Sequence, residues 1–245
     1  MQIKGVLFDK DGTLLDFNYL WLSVAEQVAE NLAGECCALN TGINLAKQKE
    51  KILWAMGVEH GIVRADGPLA YMTYEKIGER ISEVLTLEQI KLPEILEQGE
   101  LNVLFEDALE SDSLPIKATC NLRQLFMSLK EKEIKLGLAT ADNKCVTERC
   151  LRQLGIIEYL DFIGCDDGVL QPKPQPDMFV AFCQEQQLHP EEVAVLGDTY
   201  NDMLFAKKCG GLAVGVLCGL SERKQLEIKA DIVVDTPENI LDMIE

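Results

Sequence analysis

In the second half of the chain, five short apolar runs alternate with stretches of helical periodicity, while one further run stands alone at the N-terminus. The five are Lys135–Ala139, Phe162–Cys165, Val193–Gly197, Leu212–Leu217 and Ile232–Val234. Between them, Val146, Cys150, Leu151 and Leu154 share one helical face within 143–154, and Pro176-Asp177 opens a helix over 176–187. Strands alternating with helices predict an α/β fold, a parallel sheet covered on both faces. The lone run, Ile3–Asp9, is separated from the rest by about a hundred residues in which no strand is evident. Val24, Val28 and Leu32 lie on one face of a first helix there, and 43–57 and 68–85 read as two more, with Gly57, Gly61 and Gly67 marking the loop between them. Connecting two parallel strands needs far less chain than this. The expectation is a helical domain over 16–112, inserted into a core made of 1–15 and 113–245.

Composition narrows what such a chain does. With 23 Lys and Arg against 41 Asp and Glu, the formal net charge of −18 argues against nucleic-acid and anionic-membrane partners. An anionic substrate then needs local positive charge. No apolar stretch approaches the roughly 18 residues of a membrane span, and MQIKGVLFD enters a strand without the pattern of a secretory signal. Nine cysteines, an odd number without metal-ligand spacing, read as reduced small hydrophobes, so a cytoplasmic location is expected. Nothing in the sequence specifies an oligomeric state.

In open parallel sheets, ligands bind at the carboxyl ends of strands near the switch in strand order. The residues placed there are specific. VLFDKDGT ends in Asp9 and continues through Asp11 and Thr13; KLGLATAD reaches Thr140; QPKPQP carries Lys173; and VLGDTYND supplies Asp198 and, a helical turn later, Asp202. An EF-hand does not account for the first acids, because the glycine of that loop is its sixth residue and counting back from Gly12 reaches Leu7. Each residue also has an ordinary structural explanation: a turn for Asp11-Gly12, a helix cap for Thr140 or Asp198, a solvated charge for Lys173. All of them in this order at strand ends is a much stronger signal than any one alone.

The set DKDGT, LGLAT, the lysine of QPKPQP and GDTYND resembles the four motifs of the haloacid dehalogenase-like hydrolases, and within them the phosphoglycolate phosphatase-like group. The resemblance spans essentially the whole chain. It implies a Rossmann-like parallel-sheet core with an inserted helical cap, and a phosphatase acting on a small phosphorylated metabolite. Asp11 places the chain in the phosphoryl-transfer branch, since the dehalogenases lack this second acid. By the same resemblance, Asp9 is the nucleophile that forms an aspartyl-phosphate, and Asp11 protonates the leaving alcohol and then activates water. Thr13 orients the loop, while Thr140, the Ala141 backbone and Lys173 hold the phosphoryl group. Mg²⁺ is the expected cofactor, held by Asp9 and Asp198 through side chains, by Asp11 through its main-chain carbonyl, and by Asp202 through water. Charge supports this, because Asp9, Asp198 and Asp202 facing a phosphate of about −2 with only Lys173 in opposition would be severely repulsive. The pattern departs from the family at Asp142, where Asn is frequent.

Other readings remain open from sequence. A phosphomutase of the same superfamily differs in its acceptor, a phosphonate hydrolase needs a reactive cap lysine (Lys47, Lys49, Lys51 and Lys76 read as solvated), and a non-catalytic binding protein would not need both Asp9 and Asp11. His60 and His189 fall outside every motif, and Trp21 sits at apolar spacing. In the cap, Arg64 on the glycine-punctuated loop 58–68 is the candidate for binding a substrate carboxylate or second phosphate, whereas Arg80, three residues before Glu83, reads as an exposed ion pair.

Overall fold

The computed structural model describes residues 2–111 and 114–244, and it divides into two compact units, one running to Phe17 and resuming at Ile116, the other Asn18–Pro115. The sequence-predicted boundary at 112/113 lies outside the described residues. Strand β1 (Gly5–Phe8) opens the first unit, with all four of its residues buried.

The second unit follows. Helix α1 (Phe17–Leu39) buries Val24, Val28 and Leu32 as its spacing predicts, and Trp21 with them. Helix α2 (Leu45–Met56) is capped by Asn44, whose side chain accepts from the Lys47 amide, and is terminated by Gly57 at φ 89°. The absence of strands expected here needs correction: Val58–Glu59 (β2) and Ile62–Val63 (β3) form a short antiparallel hairpin, too brief to show a period in sequence. The helix expected over 68–85 is two, α3 (Pro68–Tyr71) and α4 (Tyr74–Leu87). The break falls where Met72 turns extended and Thr73 caps α4 by accepting from the Lys76 amide. Helices α5 (Glu94–Glu97) and α6 (Leu101–Glu110) complete the unit, with Phe105 stacked on Tyr74 at 4.4 Å. Arg80 does not pair with Glu83. Its Nε donates to the Ala55 carbonyl at 3.0 Å and its guanidinium lies 5.7 Å from the Trp54 ring, an interhelical role that helix periodicity alone does not reveal.

The remaining elements belong to the first unit. They are α7 (Leu122–Glu131), β4 (Lys135–Asn143), α8 (Lys144–Gln153), β5 (Phe162–Asp166), α9 (Asp177–Gln186), β6 (Val193–Gly197), α10 (Tyr200–Cys209), β7 (Leu212–Val216), α11 (Arg223–Leu226) and β8 (Ile232–Val234). Six strands form one parallel sheet in the order β5-β4-β1-β6-β7-β8. Alternate residues feed two apolar layers. Val6, Phe8, Leu136 and Leu196 join Phe126 and Leu129 of α7 on one face, while Leu7, Val195 and Ala213 join Phe179 and Phe205 on the other. This two-sided burial explains why the strands read as unbroken apolar runs. The chain adds β4 and β5 on one side of β1 and β6, β7 and β8 on the other, so the switch in strand order falls at β1. Phe8 pairs with both Leu138 and Leu196, which brings the carboxyl ends of β4, β1 and β6 side by side. All nine cysteines are free thiols, and no helix of the described residues is long and apolar enough to cross a membrane.

Candidate active site

Asp9 follows β1 directly and is still held by the sheet, its amide donating to the Leu196 carbonyl at 2.8 Å. That bond aims its carboxylate out of the carboxyl end of the sheet, where Lys173 Nζ meets Oδ1 at 2.5 Å. The same ammonium reaches Asp202 Oδ1 at 2.6 Å. Asp202 sits in the first turn of α10, inside a capping box: its Oδ2 accepts from the Thr199 amide and hydroxyl, and its own amide donates to Thr199 Oγ1. The cap is therefore Thr199 rather than Asp198, which leaves Asp198 available for other work.

Asp198 is fully buried. Its Oδ2 accepts from the Leu220 amide at 2.8 Å, and its Oδ1 has no hydrogen-bond partner. Two glycines make room for it. A Cβ on Gly12 would fall 2.2 Å from Asp198 Oδ2, and Gly12 also holds φ at +84°; a Cβ on Gly219 would fall 2.1 Å from the same oxygen. Asp9, Asp198 and Asp202 can each offer one oxygen with all three within 4.8 Å of one another.

The electrostatics follow from three carboxylates around one ammonium. Burial first, then the Asp202 and Asp11 charges, push the Asp9 carboxyl up to about 7 against the pull of Lys173. Burial and the charges of Asp9 and Asp202 raise Asp198 well above the ordinary carboxylate range. Burial alone would lower Lys173, but Asp202 and Asp9 outweigh it and hold the ammonium charged. An oxygen-only trio with an orphaned buried oxygen and excess negative charge fits a hard divalent cation.

The other predicted residues are placed as follows. Thr13 is buried; its carbonyl accepts from Thr119 Oγ1 at 2.6 Å, and its own hydroxyl lacks a hydrogen-bond partner. Thr140 is nearly buried within β4, which runs three residues past it to Asn143, and Thr140 Oγ1 accepts from the Asp142 amide at 3.2 Å. Ala141 is exposed. The Asp11 carboxylate is not one of the trio; it pairs with Lys10 at 2.9 Å. Arg64 belongs to the other unit, and its guanidinium is spent within its own loop. Nε and Nη2 grip both oxygens of Asp66 at 3.0 and 3.1 Å, and Nη1 donates to Glu59 at 2.8 Å. These bonds raise its pKa further.

Sequence reading passed over Lys10, Thr199 and the Gly219-Leu220 turn. The capping box was legible as Thr199 followed three residues later by Asp202. The other two contacts join segments far apart in the chain and leave no local pattern.

A model of the haloacid dehalogenase-like hydrolases matches residues 3–210. The chain belongs to the haloacid dehalogenase-like hydrolase family. It is an enzyme of the hydrolase class. Relatives of matching length carry phosphatase names. The chain is 25% identical over 246 residues to pyrophosphatase PpaX of Bacillus cereus (strain Q1), covering 100% of this chain and 97% of the relative. It is 25% identical over 244 residues to the phosphorylated carbohydrates phosphatase of Thermotoga maritima, covering 99% of both. Among solved structures, a predicted phosphoglycolate phosphatase from Haemophilus somnus 129pt shares the fold with a TM-score of 0.67 at 18% identity, over 99% of this chain and 98% of that one.

Proposed function

We propose that this hydrolase is a Mg²⁺-dependent phosphatase, a phosphoric monoester hydrolase that cleaves a small phosphorylated metabolite through an aspartyl-phosphate on Asp9. The observation that carries the reading is the trio of half-buried Asp9 with buried Asp198 and Asp202, Lys173 bridging Asp9 and Asp202, with one Asp198 oxygen left without a hydrogen bond. The phosphatase names of two full-length relatives agree with it. The nine free thiols suit a reducing, cytoplasmic setting.

In this reading, Asp9 and Asp198, with the Asp11 carbonyl, would hold Mg²⁺, with Asp202 supporting them. The bound ion offsets the charge shared by the acids and the phosphoryl oxygens. Lys173 steadies the Asp9 carboxylate as its oxygen forms a bond to phosphorus and the ester P–O bond breaks. The leaving oxygen takes a proton from Asp11. In the second half-reaction Asp11 takes a proton from water as that water attacks phosphorus, which frees inorganic phosphate and restores Asp9. Thr140 and the Ala141 backbone steady the phosphoryl oxygens, and Thr13 holds the loop. The unit Asn18–Pro115 acts as the cap that selects the leaving portion.

The test is phosphate release from a panel of phosphorylated metabolites with Mg²⁺ present. Release is expected for the wild type, with a loss of at least about a thousandfold in Asp9→Asn or after chelation. Full activity in Asp9→Asn, or with metal removed, contradicts the assignment.

A further inference from the structure

Lys10 stands between the two acids of the first motif, and its side chain is entirely buried. Lysine is almost never fully buried unless it is paired. Its Nζ lies 2.9 Å from Asp11 Oδ1 and 2.5 Å from Asp142 Oδ2. Asp142 is near the end of β4, where its amide is fixed on Thr140 Oγ1. Lys10 thus ties the loop after β1 to the end of β4, and it does so through the Asp11 carboxylate. Among the described residues it is Lys173, not Lys10, that pairs with Asp9 and Asp202 of the trio.

Stability alone does not account for this arrangement. Buried ion pairs contribute little over well-packed apolar side chains, because desolvation cancels most of the attraction. What the pair supplies that an apolar residue cannot is a fixed direction for a carboxylate. We propose that Lys10, itself held by Asp142, is a positioning residue that fixes the Asp11 carboxylate for proton transfer to the leaving oxygen. This rests on the reading of Asp11 as the acid–base group. It also accounts for Asp142 in place of the Asn frequent in the family: a buried lysine at position 10 needs a second acid to hold it.

Misplacing a general acid penalises substrates whose leaving group must be protonated. An alkyl phosphate needs that proton, whereas p-nitrophenyl phosphate does not, because its leaving group is a stable anion. For Lys10→Met, kcat/KM on an alkyl phosphate should fall by about 10–100-fold while p-nitrophenyl phosphate changes by less than about threefold. A purely structural role would lower both equally. Should Lys10→Met fold poorly because two acids then face each other, Lys10→Met/Asp142→Asn removes the stranded charge. That double variant should regain the wild-type Tm while its alkyl-to-aryl ratio stays depressed by about tenfold or more. A folded double variant with the wild-type ratio overturns the proposal. A wild-type protein that cleaves neither ester with Mg²⁺ present overturns the phosphatase reading and this inference together. An active wild type with unchanged ratios in both variants overturns only the role of Lys10.

Discussion

At the scale of single residues, Asp198 shows how a candidate metal site strains its own fold. It is fully buried beside Asp9 and Asp202, with a single amide bond from Leu220. The Asp9 carboxyl beside it titrates at about 7, against about 3.9 in an unfolded chain. Between those values the unfolded chain has lost its proton and the folded one keeps it. Stability from this site is therefore complete below about pH 4 and falls as pH rises to about 7. Removing one of the crowded charges relieves that loss. Asp198→Asn should raise the metal-free Tm at pH 7 by roughly 2–8 °C, equivalent to about 1–2 kcal/mol in a chain of this size. The gain over wild type should shrink toward pH 4. The Tm increase that Mg²⁺ gives the wild type should disappear. Thermal melts with and without Mg²⁺ across this range check all three, and a variant still stabilised by Mg²⁺ would remove Asp198 from the ligands.

Among the elements, the connections after the strands determine what the strand ends can hold. The turn after β7 delivers the Leu220 amide to Asp198 and needs Gly219 bare to do so, since a Cβ there would sit 2.1 Å from the carboxylate. Gly219→Ala should push Asp198 aside while the two apolar layers of the sheet stay intact. The expected result is a 10–100-fold loss of Mg²⁺ affinity, the usual effect of disturbing a ligand's support, with Tm of the metal-free protein changed by only a few degrees. Calorimetric titration with Mg²⁺ measures this directly, and unaltered affinity would show that the turn gives way without cost. The capping box at Thr199 does comparable work for Asp202, and β1 does it for Asp9.

Over the whole molecule, a formal charge of −18 opposes the approach of any phosphorylated substrate, although Lys173 and a bound cation are favourable locally. The distant repulsion is screened by salt, and the Debye length falls from about 30 Å at 0.01 M to about 8 Å at 0.15 M. Within this range kcat/KM should rise by about two- to fivefold with added KCl, through KM rather than kcat. Steady-state kinetics at fixed Mg²⁺ test it. A decline with salt would mean that positive potential at the site dominates the encounter.

Local patterns were enough to place most of the fold. Val193–Gly197 and Ile232–Val234 are strands with the limits their apolar runs suggest; β6 is buried along its whole length, whereas β8 is the edge strand of the sheet, with Ile232 exposed and Val233 and Val234 half-buried. The helical insertion was legible in the same way, from apolar spacing along α1, α2 and α4. The short hairpin of β2 and β3 was not, since two residues cannot display a period. Asp9, Asp198 and Asp202 were legible because each follows a strand or opens a helix, and Asp11 because it stands one residue beyond Asp9 in the same motif. Their partners were decided by tertiary structure. Lys10 with Asp142, Asp198 with the Leu220 amide, and Arg80 with Trp54 join positions remote in sequence, and only packing brings them within reach. Sequence determined which chemical groups this protein carries to the end of its sheet. Tertiary structure decided which of those groups share a proton, a charge or a hydrogen bond, because such energies fall off within a few ångströms and the chain order does not encode that distance.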